Sequence, residues 1–280
     1  MTPISIDVAD IIARYECPRK LGAGGQKVVY MVQEPFRGQI VIKVGEYHSA
    51  QALERVRREV STLSTIDSPY FPQQYGFEVL DDHRYLISEE FIAGKPLNDC
   101  IEAFCSEPLI IDLAIELVRG LGELWDRRIV HRDIKPANIM ITTSGPKIID
   151  LGIIRLLDAT SLTHALAPVG PCTPAYASPE QLQNIKRDID HRSDQFSLGI
   201  VLVQLILTGT HPFDPHIVGG ESIPCNILRG LWASDQLDGR ISSEFRTIIH
   251  RLLAAHPYMR YRSHDELGTA LSLIFDRKTL

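Results

Sequence analysis

The stretch IVHRDIKPANIMITTSGPKIIDLG, from Ile129 to Gly152, brings together a carboxylate at Asp133, an ammonium at Lys135, a carboxamide at Asn138 and a second carboxylate at Asp150. Two acids, a cation and an amide are poor material for a core, because each costs free energy when buried without a partner. The same groups suit a site that holds metal ions beside a transferring phosphoryl group, since hard cations such as Mg2+ take oxygen ligands. Apolar, strand-like runs flank the charged residues.

Two further features point toward phosphate. LGAGGQKVVY supplies Gly22, Gly24 and Gly25 between two strand-like segments, where bare backbone can turn tightly and approach a phosphate chain. Alone this signal is weak, because glycine-rich hairpin turns are common. A dinucleotide site needs a helix directly after the glycines, and VVYMV is strand-like instead. The next strand, IVIKV, carries Lys43 among aliphatic neighbours, which by itself reads as an edge lysine facing solvent. The helical segment that follows offers Glu59, with Leu63 one turn further on the same face, as a carboxylate able to present the ammonium to phosphate oxygens. Glu54 competes for that role but stands only eleven residues from Lys43, which leaves little chain for a turn and a helix.

The elements that must position these groups have two textures. From residue 15 to about 92, VVYMVQ, GQIVIKVG, QQYGFEVL and RYLISEEFI are short runs rich in Val, Ile, Tyr and Phe, separated by Gly, Pro or acidic turns. Between them SAQALERVRREVSTLSTI sets Ala52, Val56, Val60 and Leu63 at helical spacing. After AGKPLNDC the runs become long, periodic and helical. The chain of 280 residues thus reads as a β-rich part joined to a larger helical part near Phe91 to Pro96, and ligand pockets favour such boundaries. A formal net charge of -6 gives no basic field for nucleic acid, and the RVRRE cluster (Arg55, Arg57, Arg58) reads as one face of a helix. The cysteines Cys17, Cys100, Cys105, Cys172 and Cys225 are scattered without a CxxC pair, which argues against a disulfide framework or zinc site and for a reducing compartment. MTPISIDVADIIARYE lacks the basic, then apolar, pattern of a signal peptide. The run FSLGIVLVQLILTG is too short to span a bilayer, is interrupted by Gln204, and reads as a buried helix. The expectation is a cytoplasmic protein with no membrane segment.

At HRDIKPAN the pattern resembles a protein kinase domain, as a match to that family's motif set. The matching residues are the glycine loop, Lys43 in VIK, the helical Glu59, and His131, Arg132, Asp133, Lys135 and Asn138. Asp150 and Gly152 in DLG, Ser178, Pro179 and Glu180 in SPE, Asp194 in SDQFSLG and Arg260 in MRYRS complete the order. The resemblance covers about residues 14 to 275. It implies one α+β, bilobal kinase domain over residues 1–280: a small β-rich N-lobe at about 14–92, a hinge at about 90–96 and a larger helical C-lobe at about 97–275.

By the resemblance, Asp133 accepts the proton of a substrate hydroxyl and Lys135 neutralises charge on the transferring group. Asn138 and Asp150 hold Mg2+ or Mn2+, and Lys43, paired with Glu59, steadies the α- and β-phosphates of ATP. Leu21, Gly22, Gly24, Gly25 and Val29 cover the nucleotide, while the backbone of Glu90 and Ile92 binds adenine. Glu89 then guards the back pocket, an unusual acid there; a one-residue slip would make it Ser88. His131 packs the catalytic loop, Asp194 accepts hydrogen bonds from that loop's backbone, and Glu180 pairs with Arg260. Thr173 belongs to the substrate-side platform, while Thr160, Ser161 and Thr163 are expected autophosphorylation sites with Arg132 as the phosphate's partner. Lys135, together with Thr173 before Pro174, resembles serine/threonine rather than tyrosine kinases, with the flavour of the bacterial, eukaryotic-like ones. The implied activity is Mg-dependent transfer of the γ-phosphate of ATP to Ser/Thr hydroxyls of protein substrates.

Some positions depart from the pattern. Lys27 stands at the third loop glycine, facing either solvent or the phosphates; Leu151 replaces Phe in DFG; Cys172 and Ser178 replace a glycine and an alanine. Two other readings remain: a pseudokinase serving as a nucleotide-binding scaffold, and a small-molecule phosphotransferase of similar fold. Lys43, Asp133 and Asp150 are all present against the first, and the Ser178–Glu180, Asp194 and Arg260 set stands against the second. The pattern carries no oligomeric state.

Overall fold

In the computed structural model, residues 8–24, 27–151 and 172–279 are described. The chain divides after Ala93 into two compact units. The first holds α1 (Ala9–Ile12), β1 (Glu16–Gly24), β2 (Lys27–Glu34), β3 (Gly38–Glu46), α2 (Ala50–Leu63), β4 (Gln74–Val79) and β5 (Arg84–Glu90). Its strands form an antiparallel sheet in the order β1-β2-β3-β5-β4. β3 is the middle strand and is buried from Ile40 to Gly45, which explains an apolar run there in place of alternation.

Successive side chains of a strand point to opposite faces. Ile40, Ile42 and Val44 of β3 pack with Ile11, Val28, Val32 and Leu86 in one cluster. Tyr85 and Ile87 of β5 pack with Val56 and Val60 of α2 in the other. Lys43 lies opposite Ile87 in the β3–β5 register, so alternation puts Lys43 and Glu89 on the face that α2 covers. α2 starts at Ser49, whose hydroxyl accepts from the Ala52 N–H at 3.1 Å, and it buries Val56, Val60 and Leu63. Glu54 accepts from Arg58 Nε at 3.3 Å on the exposed face. α1 was not anticipated: four residues are too few to display a helical period.

The second unit holds β6 (Lys95–Pro96), α3 (Glu107–Asp126), β7 (Ile139–Thr142), β8 (Gly145–Ile148), α4 (Pro179–Leu182), α5 (His191–Ile206), α6 (Pro215–Val218), α7 (Ile223–Arg229), α8 (Ser243–Leu252) and α9 (His264–Thr279). α5 is buried nearly all round, the setting of a helix that is apolar on every face. α3 runs against α9 so closely at Gly122 that a Cβ there would sit 2.8 Å from the His264 ring. His264 Nε2 lies 3.0 Å from Asp126 Oδ1 at the same contact. The chain is therefore α+β with two lobes, a smaller β-rich one and a larger, mainly helical one. Among the described residues no helix is long and apolar enough to cross a membrane.

Candidate active site

Among the described residues, strands form within the charged stretch and not on either side of it: β7 and β8 make an antiparallel hairpin in which Ile139 faces Ile148, and Asp133, Lys135, Asn138 and Asp150 lie before and after it. The Ile149 N–H donates to the Asn138 carbonyl at 2.9 Å, so the hairpin sets Asn138 and Asp150 at neighbouring chain ends. Two residues here adopt left-handed backbone, Arg132 at φ 67° and Asp150 at φ 62°. Such conformations are costly for non-glycine residues and persist only when their surroundings hold them. Asp194, in the first turn of α5, does part of that work: its carboxylate accepts from the Arg132 N–H at 2.8 Å, the His131 N–H at 2.9 Å and the Trp125 indole at 3.0 Å. Gln181 Nε2 donates to the Arg132 carbonyl at 3.0 Å, so both backbone polar groups of Arg132 are held. Burial pushes the Asp194 carboxyl above its ordinary range, against the pull of His131, the indole and the two N–H groups. His131 Nε2 lies 3.1 Å from the Ile149 carbonyl and its Nδ1 accepts from the Asp133 N–H at 3.3 Å, which makes Nε2 the protonated nitrogen.

Asp133 is buried, and each carboxylate oxygen is engaged. Oδ1 accepts from the Thr173 N–H at 3.0 Å and the Thr173 hydroxyl at 2.7 Å. Oδ2 lies 2.9 Å from Lys135 Nζ and accepts from Asn138 Nδ2 at 3.1 Å. Lys135 also donates to Thr173 Oγ1 at 2.7 Å. Thr173 thus sits on the Asp133–Lys135 pair itself. Asn138 Nδ2 also donates to the Asp133 carbonyl at 2.8 Å, which leaves the carboxamide oxygen as the atom open to a hard cation. Among the described residues no group of three or more His, Cys, Asp or Glu side chains could hold a metal.

Residues 172–182 are fastened independently. Glu180 Oε1 and Oε2 accept from Arg260 Nη1 at 2.7 Å and Nη2 at 3.1 Å, and the Ser193 hydroxyl donates to Oε1 at 2.7 Å. Burial opposes the Glu180 charge most strongly, yet Arg260 and Ser193 outweigh it and hold the carboxyl below its ordinary range. His211 Nε2 lies 2.9 Å from the Ala175 carbonyl, and burial brings its pKa down to about 4. The neutral imidazole therefore donates to that carbonyl.

In the first unit Lys43 Nζ lies 2.6 Å from Glu89 Oε1. Glu89 Oε2 accepts from Gln74 Nε2 at 3.0 Å. The lysine therefore has a strand-borne carboxylate that the expected pairing with Glu59 did not include. Glu59 is on α2, half-buried, with both carboxylate oxygens shielded from solvent. Gly22 is in β1, and a Cβ there would meet no atom within 4 Å, so packing does not require the glycine. Leu21 is exposed, Val29 half-buried and Ile92 buried; the Glu90 N–H donates to the Gln73 carbonyl at 2.9 Å. Gly25, Thr160, Ser161 and Thr163 lie outside the described residues. Gln74, Gln181, Trp125 and His211 carry no sequence signal, because each acts through a contact distant in the chain.

Comparison with known proteins defines the class. The family model described as protein kinase domain matches residues 15–269. The chain belongs to the protein kinase domain family. It is similar to the serine/threonine-protein kinase PrkC of Bacillus subtilis (strain 168), 31% identical over 283 residues that take in 96% of this chain and 42% of that protein. It is also similar to the serine/threonine-protein kinase pkn2 of Myxococcus xanthus, 34% identical over 92% of this chain and 32% of that protein. The chain thus spans less than half the length of these two relatives. Among solved structures, Rad53 1-466 in complex with AMP-PNP is similar with a TM-score of 0.70 and 25% identity, over 92% of this chain and 63% of that one.

Proposed function

We propose that this chain is a serine/threonine protein kinase that transfers the γ-phosphate of ATP to Ser or Thr hydroxyls of protein substrates and needs Mg2+ or Mn2+. One observation carries the reading: Thr173, Lys135 and Asn138 all converge on the buried carboxylate of Asp133. Phosphoryl transfer has a loose transition state, so catalysis is mostly positioning and charge stabilisation. Asp133 orients the substrate hydroxyl and takes its proton as the hydroxyl oxygen bonds to the γ-phosphorus, while the bond from that phosphorus to the β–γ bridging oxygen breaks and ADP leaves with that oxygen. Lys135 offers positive charge to the transferring group. Lys43 steadies the α- and β-phosphates, and the backbone of Glu90 and Ile92 receives adenine. The open backbone at Gly22 fits close approach of a phosphate chain.

Asn138, through its remaining oxygen, and Asp150 fit a hard cation. The metal, when bound, neutralises charge on the β- and γ-phosphates. Asp150→Asn should therefore lose at least about 10²-fold in turnover while staying folded. Phosphotransfer to a protein substrate, followed with radiolabelled ATP across a Mg2+ and Mn2+ titration, checks this; wild-type turnover in the variant would remove Asp150 from the site. Thr173→Val keeps the side chain's shape but deletes its bonds to Asp133 and Lys135. Hydrogen bonds to charged groups are worth roughly 1.5 to 3 kcal/mol, so kcat should fall about 10- to 100-fold. Steady-state kinetics at saturating ATP reads this directly.

The reading includes autophosphorylation at one or more of Thr160, Ser161 and Thr163. Supporting it, Arg132 Nε is buried with no hydrogen-bond partner among the described residues, a ready donor for a phosphate. The described cysteines are free thiols, in keeping with a cytoplasmic location.

A further inference from the structure

We propose that Glu89 is a positioning residue for Lys43, a second carboxylate that orients the ammonium from within the sheet. The inference rests on Lys43 acting on nucleotide phosphates, as proposed above. Glu89 is 5% exposed, and an acid so buried is costly unless both oxygens are engaged. Both are: Oε1 lies 2.6 Å from Lys43 Nζ and Oε2 accepts from Gln74 Nε2 at 3.0 Å. The partners stand on three adjacent strands. Gln74 of β4 is the register partner of Glu89, and Glu89 is two residues along β5 from Ile87, the register partner of Lys43. Long side chains reach across such a diagonal.

Placement on the sheet gives this carboxylate a distinct role. A glutamate on α2 follows any movement of that helix. Glu89 instead belongs to a strand hydrogen-bonded to the lysine's own strand from Ile40 to Glu46, so it moves with Lys43. The ammonium has three protons; one directed at Glu89 fixes the direction of the other two. The pose of Lys43 is thereby set by the sheet, and catalysis depends on Glu89 at least as strongly as on Glu59.

The test compares Glu89→Gln and Glu59→Gln with the wild-type chain. Glu89→Gln should fold, because the Gln74 amide can flip and offer its Oε1, which has no hydrogen-bond partner, to the new NH2 group. Where that variant fails to fold, Glu89→Asp keeps the charge but is one methylene shorter, which draws the carboxylate back from Lys43 Nζ, and it should move kcat and labelling in the same directions. An uncharged acceptor at position 89 leaves the ammonium free to bind phosphate but loosens its direction. We therefore expect kcat to fall about tenfold or more while the KM for ATP changes less than about threefold. Glu59→Gln should lose less. The second readout needs no turnover: acylation of Lys43 by an amine-reactive ester in nucleotide-free protein, measured by peptide mass spectrometry relative to exposed Lys20. It should accelerate severalfold in Glu89→Gln and little in Glu59→Gln. Unchanged kcat and labelling in Glu89→Gln, or a larger loss in Glu59→Gln, would overturn the proposal. A wild-type chain without phosphotransfer would defeat the kinase reading instead, and the labelling ratio would still decide whether Glu89 restrains Lys43.

Discussion

Asp133→Asn is expected to lose about 10²- to 10⁴-fold in phosphotransfer, the typical worth of a positioned general base. The substitution is nearly isosteric, and the new side chain's oxygen can still accept from the Thr173 N–H and hydroxyl. At the position of Oδ2, however, an NH2 group would face two donors, Asn138 Nδ2 and Lys135 Nζ. Lys135 then loses its counter-ion as well as the base, which adds to the loss. ATP binding should stay within a few-fold of wild type, because the deleted interaction belongs to the transition state. Single-turnover transfer, nucleotide calorimetry and a thermal melt on the same protein check the three parts. Turnover within tenfold of wild type would show that Asp133 is not the base.

Arg260→Ala should cause the largest loss of stability. The guanidinium is fully buried and serves Glu180, the Arg192 carbonyl and the Ala254 and Ala255 carbonyls. Its removal leaves a buried carboxylate without its counter-ion, a change that typically costs about 3 to 5 kcal/mol. For a unit of this size that corresponds to a melting point roughly 6 to 20 °C lower. Glu180→Met combined with Arg260→Met should recover part of the loss, since the charge is removed with its partner. The pH dependence has a definite sign. Glu180 titrates below its ordinary range in the folded state, so its contribution is complete at neutral pH and disappears as pH falls through that lowered value. His211, with a folded pKa of about 4, adds stability that is complete above its ordinary value near 6.5 and drains away as pH falls toward 4. Denaturant melts from pH 7 to pH 4 should therefore weaken first through His211. Below that range, Arg260→Ala should lack the further loss that wild type shows.

Much of the candidate site is legible because its groups are local in sequence. Asp133, Lys135, Asn138 and Asp150 flank or precede one hairpin, and short-range spacing encodes a hairpin well. The buried α5 was legible from its unbroken apolar run. The contact of Lys43 with Glu89 is not, because strand alternation tells which residues share a face only once the β3–β5 register is known. Sequence offered Glu59 and Glu54 within one helix, while Glu89 stands 46 positions from Lys43 on another strand. The contacts of Thr173 with Asp133 are not legible for a related reason. Its bonds to Asp133 cross forty residues, and residues 152–171 of that interval lie outside the described residues.

The close approach of α3 and α9 bears on how the chain is made. Asp126 and His264 meet across 138 residues, and Gly122 lets the two helices touch at the same place. A ribosome adds about 5 to 20 residues per second, so α3 leaves it roughly 7 to 28 seconds before the helix that covers this side. Throughout that interval the surface facing α9, including Ile115 and Val118 beside Gly268, which are buried in the folded chain, has no native cover. It is then available to holdase chaperones and to neighbouring nascent chains alike.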